Sequence, residues 1–429
     1  MKRILILLCS ISLLLPTAFS MGHVDSSPFL EGAVFSFTSS EKLKKQVDFW
    51  VSIYSRYSVH QGLIHDSKYI DYIYETVDLR DLLKEGGSIQ KRKKKWKLVL
   101  LSLHRKQNFP SQLNSEEKKI FDLFKDVNEP NKFLNAARRK RLRLQIGMKE
   151  QFLDGLRQSE QYLPQMEFIF KQAGIPRELT RLPFVESSFN VKARSKVGAS
   201  GVWQFMRSTA QLFLKMNDAV DERDDPIRST EAAAKLLAMN YASLKSWPLA
   251  VTAYNHGRKS MMRGVRRVGS EKLEDLILES RNRSFGFASS NFFAELLAAI
   301  EVEKNAEKYF GNIEKEKLID FVEVRVPDAI HFKKLLHFMK FDSHTTIGLN
   351  PSLTEAVLSG QLRIPMGYWL KIPVLPNLSK EQTLQYFLDS YAQIPASLNQ
   401  KAQPVRKYGR RKGLDEDQVK KSSHARQLR

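Results

Sequence analysis

The sequence predicts a mainly α protein that carries a small α+β module toward its C-terminal end. Apolar residues recur at helical spacing, punctuated by caps and glycine stops, through residues 160–312. By contrast, Phe321 to Val326 alternates at period two, and a second short apolar run closes the same region between Ile364 and Pro373. With 429 residues, 42% hydrophobic and 27% charged, the chain has length for two or three domains and the balance of a soluble globular protein.

Residues 1–20 read as a secretory signal peptide. Met1-Lys2-Arg3 is basic, Ile4 to Leu15 is apolar, and Ala18 and Ser20 are small. The run is short for a spanning helix, which is the alternative to cleavage. Cys9 is the single cysteine; it follows Leu8 rather than a small residue, which speaks against lipidation. A mature chain lacking it has no disulfide, thiol nucleophile or cysteine-held metal. The net charge of +22 would suggest nucleic acid in a cytosolic protein. For an exported chain no nucleic-acid partner is expected, and the charge favours association with anionic envelope surfaces.

Residues 21–159 are expected to form a helical accessory region. From Phe49 to Leu79 the apolar positions suit helix better than sustained alternation. Lys91 to Lys97 is polar on nearly every face, and the cluster Arg138 to Arg143 is expected to open a helix running through Phe152 and Leu156. Pro110 to Glu117 carries turn and helix-start chemistry. His65-Asp66 reads as part of a polar loop, too little to define a charge relay.

Next, Tyr162 to Ala173 reads as a helix stopped by Gly174 and Pro176, and Arg177 to Val185 as the helix that delivers Glu186. Ser208 is a candidate N-cap. Further helices are expected over Ser229–Leu244, with Ala232, Ala233 and Ala234 allowing close packing, and from Trp247 to Asn255, with Gly257 as the stop. Within this region Glu186 is the one acid between Leu182 and Ala210, set among apolar and small polar neighbours. A carboxyl held against apolar surface loses hydration of its charged form, so it can hold a proton for donation near neutral pH. Gly198 and Gly201 bracket a tight turn, and Trp203-Gln204-Phe205-Met206 follows as an aromatic ledge. Acid, turn and ledge together suggest a sugar-binding cleft with one proton donor.

Those residues resemble the catalytic motif of the goose-type lysozyme and soluble lytic transglycosylase superfamily. Glu186-Ser187 is followed by Gly198-Ala199-Ser200-Gly201-Val202-Trp203-Gln204-Phe205-Met206, and the second block, Ala-Tyr-Asn, stands at Ala253-Tyr254-Asn255. The Trp-Gln-Phe-Met variant, with Asp221-Glu222-Arg223 and Asp225-Pro226 after it, is most similar to the membrane-bound, D-type lytic murein transglycosylases. The resemblance implies a lysozyme-like helical catalytic domain over residues 160–312. It also implies a peptidoglycan lytic transglycosylase, cutting between N-acetylmuramic acid and N-acetylglucosamine to leave a 1,6-anhydro end. The implied partner is the glycan strand, the location is the periplasm or cell envelope, and no metal or cofactor is needed.

Glycosidic cleavage needs a proton for the departing oxygen, and a hydrolase normally has a second carboxylate across the sugar. The block from Glu186 to Met206 contains none, and the nearest acids, Asp218 to Asp225, are expected to be structural. In the family the muramic acid C6 hydroxyl attacks instead, so Glu186 serves as acid and then as base. The resemblance gives Ser195 to the substrate N-acetyl group, and Gln204, Met206, Tyr254 and Asn255 to the cleft lining. Ser187 is expected to order the helix end, with Gly198 and Gly201 supporting the turn; Trp203 is divided between core and sugar stacking. Phe292 stands where relatives carry a tyrosine, and His256 is expected to cap a helix end. The alternatives are a lysozyme-type hydrolase and a non-catalytic glycan-binding scaffold.

Residues 318–376 follow the order strand, helix, helix, Asn350-Pro351, strand, which resembles a degenerate LysM module, with Pro327-Asp328-Ala329-Ile330 in place of its usual Gly-Asp-Thr-Leu. Residues 397–429 are basic and poor in apolar groups, and are expected to be a disordered tail.

Overall fold

The structure, a computed structural model, describes residues 37, 39–84, 87–138, 140–279, 285–314 and 319–393. The expected signal peptide (1–20) and basic tail (397–429) lie outside the described residues.

The chain opens with α1 (Glu41–Ser55), which buries Leu43, Val47, Trp50 and Tyr54 on one stripe. Strands β1 (Gln61–Asp66) and β2 (Ile73–Asp78) follow, then helices α2 (Leu79–Lys84), α3 (Ile89–Lys106), α4 (Ser115–Leu123) and α5 (Lys132–Ala136), strand β3 (Leu142–Ile146) and helix α6 (Lys149–Ser159). The strands form an antiparallel sheet in the order β2-β1-β3, with Gly62 opposite Val77 on one side and Ile146 on the other.

The accessory region is thus mainly helical, with a three-stranded sheet that was not expected. The helical reading of Phe49 to Leu79 holds only as far as Ser55, and the helix expected to begin at Arg138 is instead a turn leading into β3. The physical reason is burial on both faces. Every β1 residue from Gly62 to Asp66 is buried, so the strand shows no alternation that sequence could display. His65 and Asp66 are likewise buried strand residues rather than a polar loop. Asp66 accepts from Nε and Nη2 of Arg141 and from the Tyr74 hydroxyl, while His65 Nδ1 lies 3.1 Å from the carbonyl oxygen of Asp66. Burial and the neighbouring Arg143 charge hold the His65 pKa down to about 3. The ring is therefore neutral, and the pair forms no charge relay.

The lysine-rich start of α3 is anchored by Trp96, whose Nε1 donates to Glu75 on β2 at 2.6 Å. The helix start near Pro110 to Glu117 is present, with Asn114 and Glu117 forming a reciprocal capping box. Ile64, Tyr74, Trp96, Leu100, Phe124 and Phe133 form the core between sheet and helices.

The helical centre runs through α7 (Leu163–Gln172), α8 (Leu182–Ser187), α9 (Arg207–Ala210), α10 (Pro226–Leu244), α11 (Trp247–His256), α12 (Arg258–Val268), α13 (Leu273–Glu279), α14 (Phe287–Lys304) and α15 (Ala306–Phe310). Met206 rather than Ser208 precedes α9, and Ser208 lies inside that single turn. Asp225 caps α10 by accepting from the N–H groups of Ile227 and Arg228. Helix α14 is apolar on most of its circumference because α1, α8 and α11 all pack on it. Trp50 Nε1 fixes the first of these contacts by donating to Asn291 at 3.2 Å.

The C-terminal module comprises β4 (Phe321–Arg325), α16 (Phe332–Met339), α17 (Ser343–Leu349), α18 (Glu355–Leu358), β5 (Trp369–Pro373) and α19 (Lys380–Ala392). The two strands pair antiparallel, Phe321 opposite Pro373. Phe387 and Tyr391 of α19 enter the same core as Val324, Phe332 and Ile372, so the compact unit extends past the expected boundary at 376.

The module is sewn to the centre. Asp221 N donates to Ser352 O at 2.8 Å, Thr354 N to Ala219 O at 3.1 Å, and Lys371 Nζ to Asp225 at 2.9 Å. Burial opposes ionisation of Asp225, but Lys371 and the capped helix start more than compensate and hold its pKa below the usual range. Removing one partner of a buried pair strands the other charge. Lys371→Met is therefore expected to cost about 3–5 kcal/mol, measured by denaturant unfolding; unchanged stability would show that the pair contributes nothing.

Candidate active site

Glu186 sits at the C-terminal end of α8 and is half-buried. A 3-10 turn, Arg177–Arg181, leads into the helix, and Pro183 in its first turn needs no hydrogen-bond partner for its nitrogen. The helix ends abruptly because Ser188 and Phe189 both adopt left-handed backbone, with φ of 51° and 56°. Each such non-glycine residue costs roughly 1–2 kcal/mol. Packing retains them: Phe189 is fully buried edge-on to Phe184 at 4.6 Å, and Phe184 stacks on Phe152 at 4.7 Å. Gly155 completes the clamp, since a Cβ there would lie 2.7 Å from the carbonyl oxygen of Ser188. The Ser187 hydroxyl lies 2.9 Å from Val202 O and 3.2 Å from Pro183 O.

The turn that follows is built around buried backbone contacts. Gly198 and Gly201 have φ of 89° and 75°. A Cβ on Gly201 would lie 1.8 Å from the carbonyl oxygen of Arg223, whereas one on Gly198 would meet nothing within 4 Å. Arg223 in turn donates to the carbonyl oxygens of Gly198 and Phe205 and is held by both carboxylate oxygens of Asp221. Asp224 accepts from Ser200 and Arg194, and Asp225 is spent on its helix cap and Lys371. The three aspartates are thus committed to structure, as expected.

Ser195 is half-buried, and its Oγ accepts from Ala199 N at 2.9 Å, so the hydroxyl oxygen braces the turn. Gln204 has left-handed backbone, φ 48°, and its amide nitrogen donates to Ala193 O and Gly201 O. Met206 is half-buried beside it. Trp203, divided between two roles in the sequence, is wholly core: it is fully buried, stacks on Phe170 and donates from Nε1 to Thr230 at 2.9 Å.

Helix α11 supplies the second half of the site. The Tyr254 hydroxyl donates to Trp203 O at 2.9 Å, and burial with the adjacent Glu186 charge raises its pKa well above the usual value. It therefore remains a neutral donor. Asn255 Oδ1 accepts from Ser289 Oγ at 3.1 Å, and His256 Nδ1 lies 3.1 Å from the same oxygen, at the last turn of α11. Phe292 is a buried core residue of α14.

One group was missed by sequence reasoning. Glu295, three residues after Phe292 on α14, lies within the electrostatic field of Glu186. Burial, reinforced by Glu186 and opposed by Arg143, pushes its pKa up to about 8. An acid in an otherwise apolar helical run, Phe292-Phe293-Ala294-Glu295-Leu296-Leu297, was the available signal. Among the described residues no cluster of His, Cys, Asp and Glu could hold a metal ion.

Residues 170–277 match the model of the transglycosylase SLT domain. That segment is a member of the lytic transglycosylase superfamily. Among curated relatives, the chain is 30% identical over 141 residues to membrane-bound lytic murein transglycosylase D of Escherichia coli K12, covering 32% of this chain and 30% of that protein. It is also 30% identical over 123 residues to an Alteromonas sp. (strain M-1) protein named for tributyltin chloride resistance, covering 28% of this chain and 59% of that protein. The aligned stretch thus spans under a third of the Escherichia coli relative's length.

Proposed function

We propose that the protein is a peptidoglycan lytic transglycosylase that cleaves the bond between N-acetylmuramic acid and N-acetylglucosamine without water. The observation that carries this reading is the half-buried Glu186, clamped at a strained helix end, with the nearby Asp221, Asp224 and Asp225 all engaged in structural pairs. In the first step Glu186 gives its proton to the glycosidic oxygen as the bond to the anomeric carbon breaks. The muramic acid C6 hydroxyl then bonds to that carbon, and the Glu186 carboxylate takes the hydroxyl proton. The enzyme ends as it began, and the product is a 1,6-anhydro sugar.

Protonated at neutral pH, Glu295 offers no second anion of the kind an inverting or retaining hydrolase uses. Tyr254 and Gln204 hold the cleft backbone, and Ser195, Met206 and Asn255 line the substrate side. The chain's +22 charge suits an anionic polymer in the cell envelope. No helix among the described residues is long and apolar enough to cross a membrane. The C-terminal module, LysM-like in element order, acts in this reading chiefly as a brace for the segment Asp218 to Asp225.

Mass spectrometry of peptidoglycan digested with the purified protein tests the reaction. Anhydro ends, lighter by one water than reducing ends, are expected; reducing ends alone would make the protein a hydrolase.

A further inference from the structure

We propose that the cleft between α12 and α13 binds a carboxylate-bearing peptide carried by the glycan strand, with Arg263 and Arg267 holding the carboxylate and His256 accepting from a peptide N–H. The inference rests on the reading of the chain as a peptidoglycan enzyme and adds a second point of contact with the same substrate. These residues touch no reacting atom; they hold the strand while Glu186 acts on it.

Helix α12 follows Asn255 and His256 of α11 after a single residue, Gly257, and packs on both α11 and α13. Lys259, Arg263, Arg266 and Arg267 are exposed, and their helical spacing puts them on one stripe. Among the described residues none of the four is paired with a carboxylate. Glu274 and Asp275 of the adjoining α13 are engaged elsewhere: Glu274 accepts from Ser40 Oγ at 2.7 Å, and Asp275 from Ser270 Oγ at 2.7 Å with Lys42 Nζ 3.5 Å away. The helix dipole favours Arg266 and Arg267 in the last turn but disfavours Lys259 in the first. Like charges three and four apart weaken a helix further. Local energetics therefore does not account for the stripe, and an anionic partner does.

The cleft beside this stripe is lined by His256, Ser260, Met261, Arg267, Leu276 and Phe285. Met261 and Leu276 are buried and give it an apolar floor. Arg263 is drawn to the same edge, its Nη2 donating to Ser260 Oγ at 2.9 Å. The His256 ring stands edge-on to Phe285, with centres 5.1 Å apart. Its Nδ1 lies 3.1 Å from Ser289 Oγ, and that hydroxyl donates to Asn255 Oδ1 at 3.1 Å. Ser289 has one proton to give and Asn255 Oδ1 can only accept, so His256 Nδ1 is the donor of its pair. Burial and the Arg263 charge lower the His256 pKa, so the ring is neutral and Nε2 is left as an acceptor. Through Ser289 the cleft is tied to Asn255 of the proposed sugar site.

Three chemistries thus meet in one place: guanidinium donors for an anion, a ring nitrogen that accepts, and an apolar floor. A planar guanidinium suits a carboxylate, which it can hold through two parallel N–H bonds. A simple anion would supply the charge but neither an N–H for Nε2 nor an apolar group for Met261 and Leu276. A short peptide with a free carboxylate and a small aliphatic side chain supplies all three. In peptidoglycan such peptides hang from the muramic acid residues, the sugars whose bond Glu186 is proposed to break.

The experiment compares the full chain on peptidoglycan strands bearing their peptides and on the same strands stripped by an amidase. We expect the wild type to favour the peptide-bearing strands in kcat/KM by at least about tenfold, and the double variant Arg263→Gln, Arg267→Gln to bring that ratio to about one. Arg266→Gln, on the stripe but outside the cleft, should keep the wild-type ratio. A wild type with no preference overturns the proposal, as does a double variant that slows on both substrates and keeps the ratio. Loss of preference in Arg266→Gln equal to that in the double variant also overturns it, by reducing the effect to general charge. Binding is read separately with the peptides the amidase releases. Saturable binding is expected that the double variant loses and equimolar inorganic phosphate does not displace; no binding, or displacement by phosphate, ends the proposal. Failure of the underlying reading looks different: neither substrate would be cut, while the released peptides would still bind.

Discussion

Glu186→Gln is expected to lower turnover on peptidoglycan by at least about 10³-fold while leaving the protein folded and still able to bind glycan. The amide has the shape of the acid but no proton to release at neutral pH, and it cannot take one back from the C6 hydroxyl. No alternative donor is on hand at the same place: Asp221, Asp224 and Asp225 are fixed by Arg223, Ser200, Arg194 and Lys371. The helix end depends on Phe184, Ser187 and Phe189 rather than on the charge, so thermal unfolding should change little. Cell-wall clearing and sedimentation with insoluble peptidoglycan measure the two properties separately. An active variant would remove Glu186 from the mechanism, and a wild type that sediments with peptidoglycan but shows no turnover would leave a scaffold in place of an enzyme.

Gly201→Ala is expected to be the most damaging change that adds only one carbon. The new atom would lie 1.8 Å from the carbonyl oxygen of Arg223 and 2.8 Å from its carbonyl carbon, and neither is a side-chain atom that can swing aside. The positive φ adds strain to the clash. We expect a loss of at least about 3 kcal/mol in unfolding free energy together with activity, because Arg223 also holds Gly198 and Phe205. Gly198→Ala is the control. It shares the positive φ but meets open space, so about 1 kcal/mol is expected. Equal losses at both positions would refute the close-approach argument.

The helical centre was legible because its signals are local. Gly174 and Gly257 terminate helices where they stand in sequence, and Glu186 with its glycine turn forms one contiguous block. The accessory sheet was not legible, since β1 is covered on both faces and shows no period, while β3 begins in a run of arginines. What makes a strand of that basic run is distant: Asp66 holds Arg141, and Phe287 receives Arg143. Glu295 escaped notice for a related reason. Its meaning depends on Glu186 and Arg143, 109 and 152 positions earlier in the chain, and no local pattern encodes that meeting. The role of Trp203 was equally hidden, because only the fold shows Phe170 and Thr230 closing over it.

The bond between Trp50 and Asn291 bears on how this architecture can be passed between proteins. The match to the transglycosylase SLT family model ends at residue 277, ten residues short of the helix that carries Asn291, Phe292 and Glu295. Transplanted alone, that portion would leave behind the rod on which α8 rests and would expose its apolar seam to water. The unit that folds around the cleft is therefore larger than the recognisable one, because α1 covers the side of that rod turned away from α8.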